Sequence, residues 1–155
     1  MPVLGAAAVP GLPAKTRILS VALLAQDASI DGLARTVSGL GFVGGRERIF
    51  QGNSRQLTFV DSRALVFSSP AGAAQYLTFI HANAAAYFGS FVAVRALTSP
   101  AGVGWLFQPP PCACHMANPA LVAIVREGDL LVWLEINGPA ATEGALSLLL
   151  ADVKE

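Results

Sequence analysis

Apolar and polar residues change their spacing several times along the chain, and each change marks an element. Between Phe42 and Phe67 apolar side chains fall in two extended runs, parted at Gln51-Gly52-Asn53-Ser54, and in the second run they keep to alternating sides. That period belongs to strands and the polar break to a turn. Two strands are predicted, Phe42–Phe50 with a kink at Gly44-Gly45, and Arg55–Phe67. In the second, Leu57, Phe59, Leu65 and Phe67 share one side, and Thr58, Val60, Ala64 and Val66 the other. At Ser69-Pro70 the period becomes helical. Ala73, Tyr76, Leu77, Ile80, Ala84, Tyr87 and Phe88 form one apolar stripe, which predicts a helix to Phe88. Ser69 suits its N-cap, Pro70 its first turn and Gly89 its end. The opposite side of this helix, Ala71, Gln75, Thr78, Ala82, Ala85 and Ala86, carries no charge.

Ahead of these elements the spacing predicts a short element from residue 18, a turn at Ser29–Gly32, and a helix Leu33–Leu40 capped by Asp31. Beyond them, Phe91–Leu97 and Gly104–Gln108 read as strands around a turn at Ser99–Gly102. The segments LVAIV and LLVWLEI flank Glu127-Gly128-Asp129, a hairpin signal. Their apolar residues are consecutive, so Leu121–Arg126 and Leu130–Ile136 should be covered on both faces, with Trp133 in the core. A last helix, Ala140–Val153, turns Leu146, Leu149, Leu150 and Val153 inward. The expected order is β-β-α-β-β-β-β-α. Hairpins dominate it, which implies an α+β domain over residues 16–155: a mainly antiparallel sheet flanked by two long helices.

Composition narrows the function classes. Of 155 residues 54% are hydrophobic and 13% charged, which suits one well-filled core and excludes disorder. Ten basic residues balance ten acidic ones, so the cationic surplus that nucleic acid or an anionic membrane surface demands is missing. No apolar run is long enough for a transmembrane helix. The balance is uneven along the chain: between Ala64 and Val125 the single charge is Arg95. A stretch so poor in charge points to a homo-oligomer or a partner protein meeting residues 64–125, or to a small apolar ligand between sheet and helix.

Residues 1–15 begin MPVLGAAAVPGLPA, small, apolar and proline-bearing. They read as a linker or as the trimmed remnant of an export signal, with Ala6-Ala7-Ala8 near a cleavage point. Lys15 and Arg17 before ILSVALLA also imitate a signal sequence, against which stands an ordered segment of the domain itself.

Motifs for catalysis are sparse. Gly39–Gly44 spells GxGxxG, but a helix precedes it and a strand follows, the reverse of the nucleotide-binding context. Arg46-Glu47-Arg48 would place both arginines on one side of a strand, where they could meet an anion or, as expected here, form a solvated face with cross-strand pairs. His81 falls at the edge of the helical stripe. The acidic residues show no shared face. One compact cluster stands out in the Pro109–Pro119 loop: Cys112, Cys114, His115 and Met116. Two thiols, an imidazole and a thioether are soft ligands for copper or zinc, or the thiols serve redox chemistry. The alternative is a Cys112–Cys114 disulfide with His115 as a polar neighbour. The spacing CxCH excludes covalent haem, which needs CxxCH.

The GGRERIFQG strand, then RALVFSSPAGAAQYL, then a late hairpin leading through NGP to a helix, resembles small bacterial envelope lipoproteins and sensor-type domains with a PsbP-like α/β sandwich. The resemblance rests on element order across residues 20–153. It implies a non-enzymatic, extracytoplasmic binding or protein-interaction module and carries no functional residue across. The other function class, from the residues themselves, is a metal-binding or redox-active thiol protein using the Cys112–Met116 loop.

Overall fold

The computed structural model describes residues 1–110 and 120–153. Its strands are β1 Ala14–Leu19, β2 Phe42–Gln51, β3 Phe59–Phe67, β4 Ala93–Ser99, β5 Gly102–Gln108, β6 Ala120–Glu127 and β7 Leu130–Asn137. The helices are α1 Val21–Leu24, α2 Leu33–Gly39, α3 Pro70–Ala82, α4 Ala84–Phe88 and α5 Glu143–Asp152. All seven strands form one sheet in the order β1-β2-β3-β7-β6-β5-β4, every neighbouring pair antiparallel. The protein is an α+β domain. No helix among the described residues is long and apolar enough to cross a membrane.

The β6–β7 hairpin inserts next to β3, so it occupies the middle of the sheet. Its two-sided apolar runs are buried on both faces as expected, and Trp133 is 3% exposed. Two cores result. On one face α1 to α4 cover Leu65, Phe67, Phe107, Val122, Ile124 and Trp133. On the other, α5 and residues 1–13 cover Phe50, Val60, Val132, Leu134 and Ile136. Residues 1–13, whose composition suggests a linker or a trimmed remnant, supply Leu4, Val9 and Leu12 to that second core, all three buried. The backbone N–H of Leu4 donates to Ser62 Oγ at 3.0 Å. Backbone freedom matters at Gly102, the β4–β5 turn: its φ is +134°, and a Cβ there would lie 2.3 Å from the Arg126 carbonyl oxygen.

Local signals hold where short-range chemistry decides. Ser69 Oγ accepts from the Gly72 N–H at 3.1 Å with Pro70 in the first turn, and α5 is capped by Thr142, whose Oγ1 accepts from Ala145 N–H. Leu146, Leu149, Leu150 and Val153 are buried as expected. The outer side of α3–α4, from Ala71 to Ala86, is exposed.

Several expectations are corrected. The order β-β-α-β-β-β-β-α leaves out β1, α1 and also α2, although the helix expected over Leu33–Leu40 is present as Leu33–Gly39, and the helices number one of 13 residues, one of 10 and three shorter pieces among the described residues. β1 escapes the periodic reading because it is an edge strand, exposed along most of its length. The helix expected to run to Phe88 breaks at Asn83, where the backbone leaves helical geometry (φ −111°) and Nδ2 joins the Asn83 backbone N–H in donating to the Phe79 carbonyl. At α2 the N-cap is Gly32 in the left-handed region, not Asp31, and no side chain caps it. β3 starts at Phe59, four residues after the expected Arg55.

Candidate functional site

Strand alternation places both apolar and charged side chains under the α1–α4 layer. In the sheet register Arg17 lies opposite Glu47, Glu47 opposite Arg63, and Arg63 opposite Trp133. One row further, Asp61 lies opposite Glu135. Asp27, in the segment following α1, comes down onto the same spot.

Arg63 is the hub. Its Nε–H donates to Asp61 Oδ2 at 2.8 Å and an Nη1–H donates to Asp27 Oδ2 at 2.7 Å. Glu47 Oε1 is 3.0 Å from the same Nε. That nitrogen carries a single hydrogen, which goes to Asp61, so Glu47 Oε1 has the charge beside it without a hydrogen bond. The other Glu47 oxygen accepts from Arg17. The guanidinium carbon of Arg63 sits 4.8 Å above the Trp133 ring, within cation–π range. Glu47 and Asp61 are 0% and 2% exposed.

The charges do not cancel. Two guanidiniums, Arg17 and Arg63, face four carboxylates: Glu47, Asp61, Asp27 and Glu135. Burial raises the Asp61 carboxyl to about 7; Arg63 counteracts and Glu47 reinforces the shift. Burial also lifts Asp27 and Glu135 above the ordinary carboxylate range, with Arg63 pulling each back. A carboxylate out of water is costly unless paired and hydrogen-bonded, so the surplus acid here is held under tension.

A cleft of about 340 Å³ opens on this cluster. Asp27, Arg63, Glu135 and Asn137 supply its polar lining, Tyr87, Phe88 and Trp133 its aromatic wall. The Phe88 and Tyr87 ring centroids lie 5.5 and 6.2 Å from Trp133, and the Tyr87 hydroxyl is 3.4 Å from that of Tyr76. Three buried polar atoms of the cluster lack a hydrogen-bond partner among the described residues: Glu47 Oε1, Asp61 Oδ1 and Trp133 Nε1. Each such atom typically costs about 1–3 kcal/mol. A groove of about 320 Å³ on the opposite face, between α5 and the N-terminal segment, is lined by Val9, Leu57, Leu148 and Leu149 among others, with Asp152 the charged residue among its described lining.

Cys112, Cys114, His115 and Met116, read from the sequence as metal ligands or a disulfide, lie outside the described residues. Arg46 and Arg48 do share a side of β2, but the solvated face expected of the triplet is corrected: Glu47 between them is fully buried on the other side. Arg48 is committed to structure, donating to Thr16 Oγ1 and to the Leu4 carbonyl. His81 is exposed and stacks on Trp105 with centroids 3.9 Å apart. The GxGxxG segment runs from α2 into β2, in the helix-then-strand order that argues against nucleotide binding.

The expectation that no acidic residues share a face is overturned. Asp27, Glu47, Asp61 and Glu135 come together although they are far apart in sequence. A faint signal was available: Asp61 and Arg63 occupy the positions of β3 that alternate in phase with Leu65 and Phe67, the side that had to be buried.

No protein-family model matches the chain, and no curated protein matches it. Among solved structures, the extracellular domain of PknH from Mycobacterium tuberculosis aligns over 90% of this chain and 79% of that one, with 12% sequence identity and a TM-score of 0.47. Nothing in these comparisons bears on PsbP-like domains.

Proposed function

We propose that the protein is a non-enzymatic binding module whose site is the cleft above Arg63. The observation that carries this reading is the locked floor of the cleft. Arg63 is fixed by Asp61, Asp27, Glu47 and the Trp133 ring, so polar and aromatic groups are presented in one rigid arrangement before a ligand arrives. Binding is favoured over catalysis because the most perturbed acid, Asp61, is shut away from the cleft's opening and already spends one oxygen on Arg63.

Trp105 and Trp133 are the two tryptophans of the chain, so Trp105→Phe leaves Trp133 as the fluorescent reporter. A screen of small polar aromatic compounds should change its emission and raise the melting temperature. Ala120→Phe, which fills the cleft's edge, should abolish both effects, and the ligand should be recovered chemically unchanged. Binding that survives Ala120→Phe would move the site elsewhere, and conversion of the ligand would make the protein an enzyme.

The resemblance noted from element order supports placing this module outside the cytoplasm. There Cys112 and Cys114 should be found bridged; two alkylated thiols in freshly exported protein, measured by mass spectrometry without reductant, would contradict that.

A further inference from the structure

We infer that the cleft is selective for an organic cation, a protonated amine carried on an apolar body, and that Glu135 and Asp27 are the residues that hold its charge. This inference rests on the binding reading above and names its ligand class.

Three features lead to it. The first is the uncancelled acid. Arg63, the cation that lines the cleft, is surrounded by Asp61, Asp27 and Glu47, and Glu47 also takes up Arg17. An anionic ligand would therefore meet a guanidinium already matched by carboxylates, with Asp27 and Glu135 beside it in the wall. A cationic ligand would meet the surplus directly. The second is the spare acceptor capacity of Glu135 in the cleft wall: the side-chain hydrogen bond it receives among the described residues is a long one, 3.4 Å from Asn137 Nδ2, so its carboxylate keeps room for the N–H groups of an ammonium. The third is the chemistry of the wall. Tyr87, Phe88 and Trp133 offer ring faces and edges beside the carboxylates, the combination that favours amines and quaternary ammonium groups over hydrated metal ions. Among the described residues no three His, Cys, Asp or Glu side chains are arranged to hold a metal ion.

The inference separates three probes of one shape: 2-phenylethylamine, 2-phenylethanol and phenylacetate, titrated calorimetrically into the whole chain at pH 7.5. The amine should bind at least about tenfold more tightly than the alcohol, and phenylacetate more weakly than either. Glu135→Gln should erase that preference while the alcohol still binds, and Asp27→Asn should reduce it, with thermal unfolding confirming that each variant is folded. Equal or tighter binding of phenylacetate, or a preference unchanged in both variants, would overturn the assignment to cations while leaving a binding cleft. If none of the three probes binds the folded wild-type chain, the cleft itself is not the site, and both readings fall.

Discussion

The same three strands, β2, β3 and β7, build two different interiors. Toward α5 and the N-terminal segment they present Phe50, Val60, Val132, Leu134 and Ile136, and the polar Ser62 there is satisfied by the Leu4 N–H. Toward α1–α4, one residue along each strand, they present Glu47, Asp61, Arg63, Trp133 and Glu135. The first face is what burial alone would select, since apolar side chains leave water favourably and need no partners. The second sets this charged row beside apolar packing around Leu65, Phe67 and Leu131, and replacing a buried ion pair with packed apolar groups is often neutral or stabilising. Such a row contributes little to stability, and it is the floor of the cleft proposed above as the binding site. The difference teaches that one strand set can bury an apolar face and an ionic one on opposite sides of the same sheet.

The contrast can be broken most forcefully by cutting one residue from each face. Arg63→Ala strands three carboxylates and should cost about 3–5 kcal/mol, while Phe50→Ala leaves a cavity and should cost about the same, 3–5 kcal/mol. Their pH responses should differ. The Arg63→Ala loss, read from urea unfolding, should shrink between pH 8 and pH 5 as the stranded acids take up protons. The Phe50→Ala loss should stay constant. Matching pH responses would show that the charged cluster is not energetically distinct from the apolar core.

A smaller effect is expected in the unaltered protein. Asp61 has a folded-state pKa of about 7 against an ordinary 3.8, so between those values the folded chain binds more protons than the unfolded one. Folding stability should then fall as pH rises from about 4 to about 7, opposite to the trend set by salt-bridged carboxylates of depressed pKa. Asp27 and Glu135, shifted in the same direction, add to it. Asp61→Asn should flatten the profile, because the amide cannot titrate. Stability that climbs through this window in the wild type would mean the cluster is fully ionised and fully compensated.

What the sequence by itself determined is what neighbours along the chain decide. The Ser69-Pro70 start of α3, the hairpin at Gly128 and the two-sided burial of β6 and β7 depend on side chains a few positions apart, and each was legible; the kink expected at Gly44-Gly45 is a register shift just before it, between Phe42 and Gly44. The α+β class followed from their order. The break at Asn83 and the left-handed cap at Gly32 were not read: Asn83 sits inside a continuous apolar stripe, and at Gly32 the glycine's own freedom at positive φ took the place of the side-chain cap expected from Asp31. The packing of residues 1–13 was hidden as well: Leu4, Val9 and Leu12 show no period, and only a finished apolar face gives them something to cover. The charged cluster depended entirely on tertiary structure. Asp27, Glu47, Arg63 and Glu135 each look like an ordinary surface charge; the β2–β3 pairing sets Glu47 beside Arg63, the segment after α1 adds Asp27, and the insertion of β7 beside β3 adds Glu135. Register is the physical reason: a slip of one residue in β3 would send Asp61 and Arg63 to the opposite face, and no pattern within β3 alone records which partner strand sets that register.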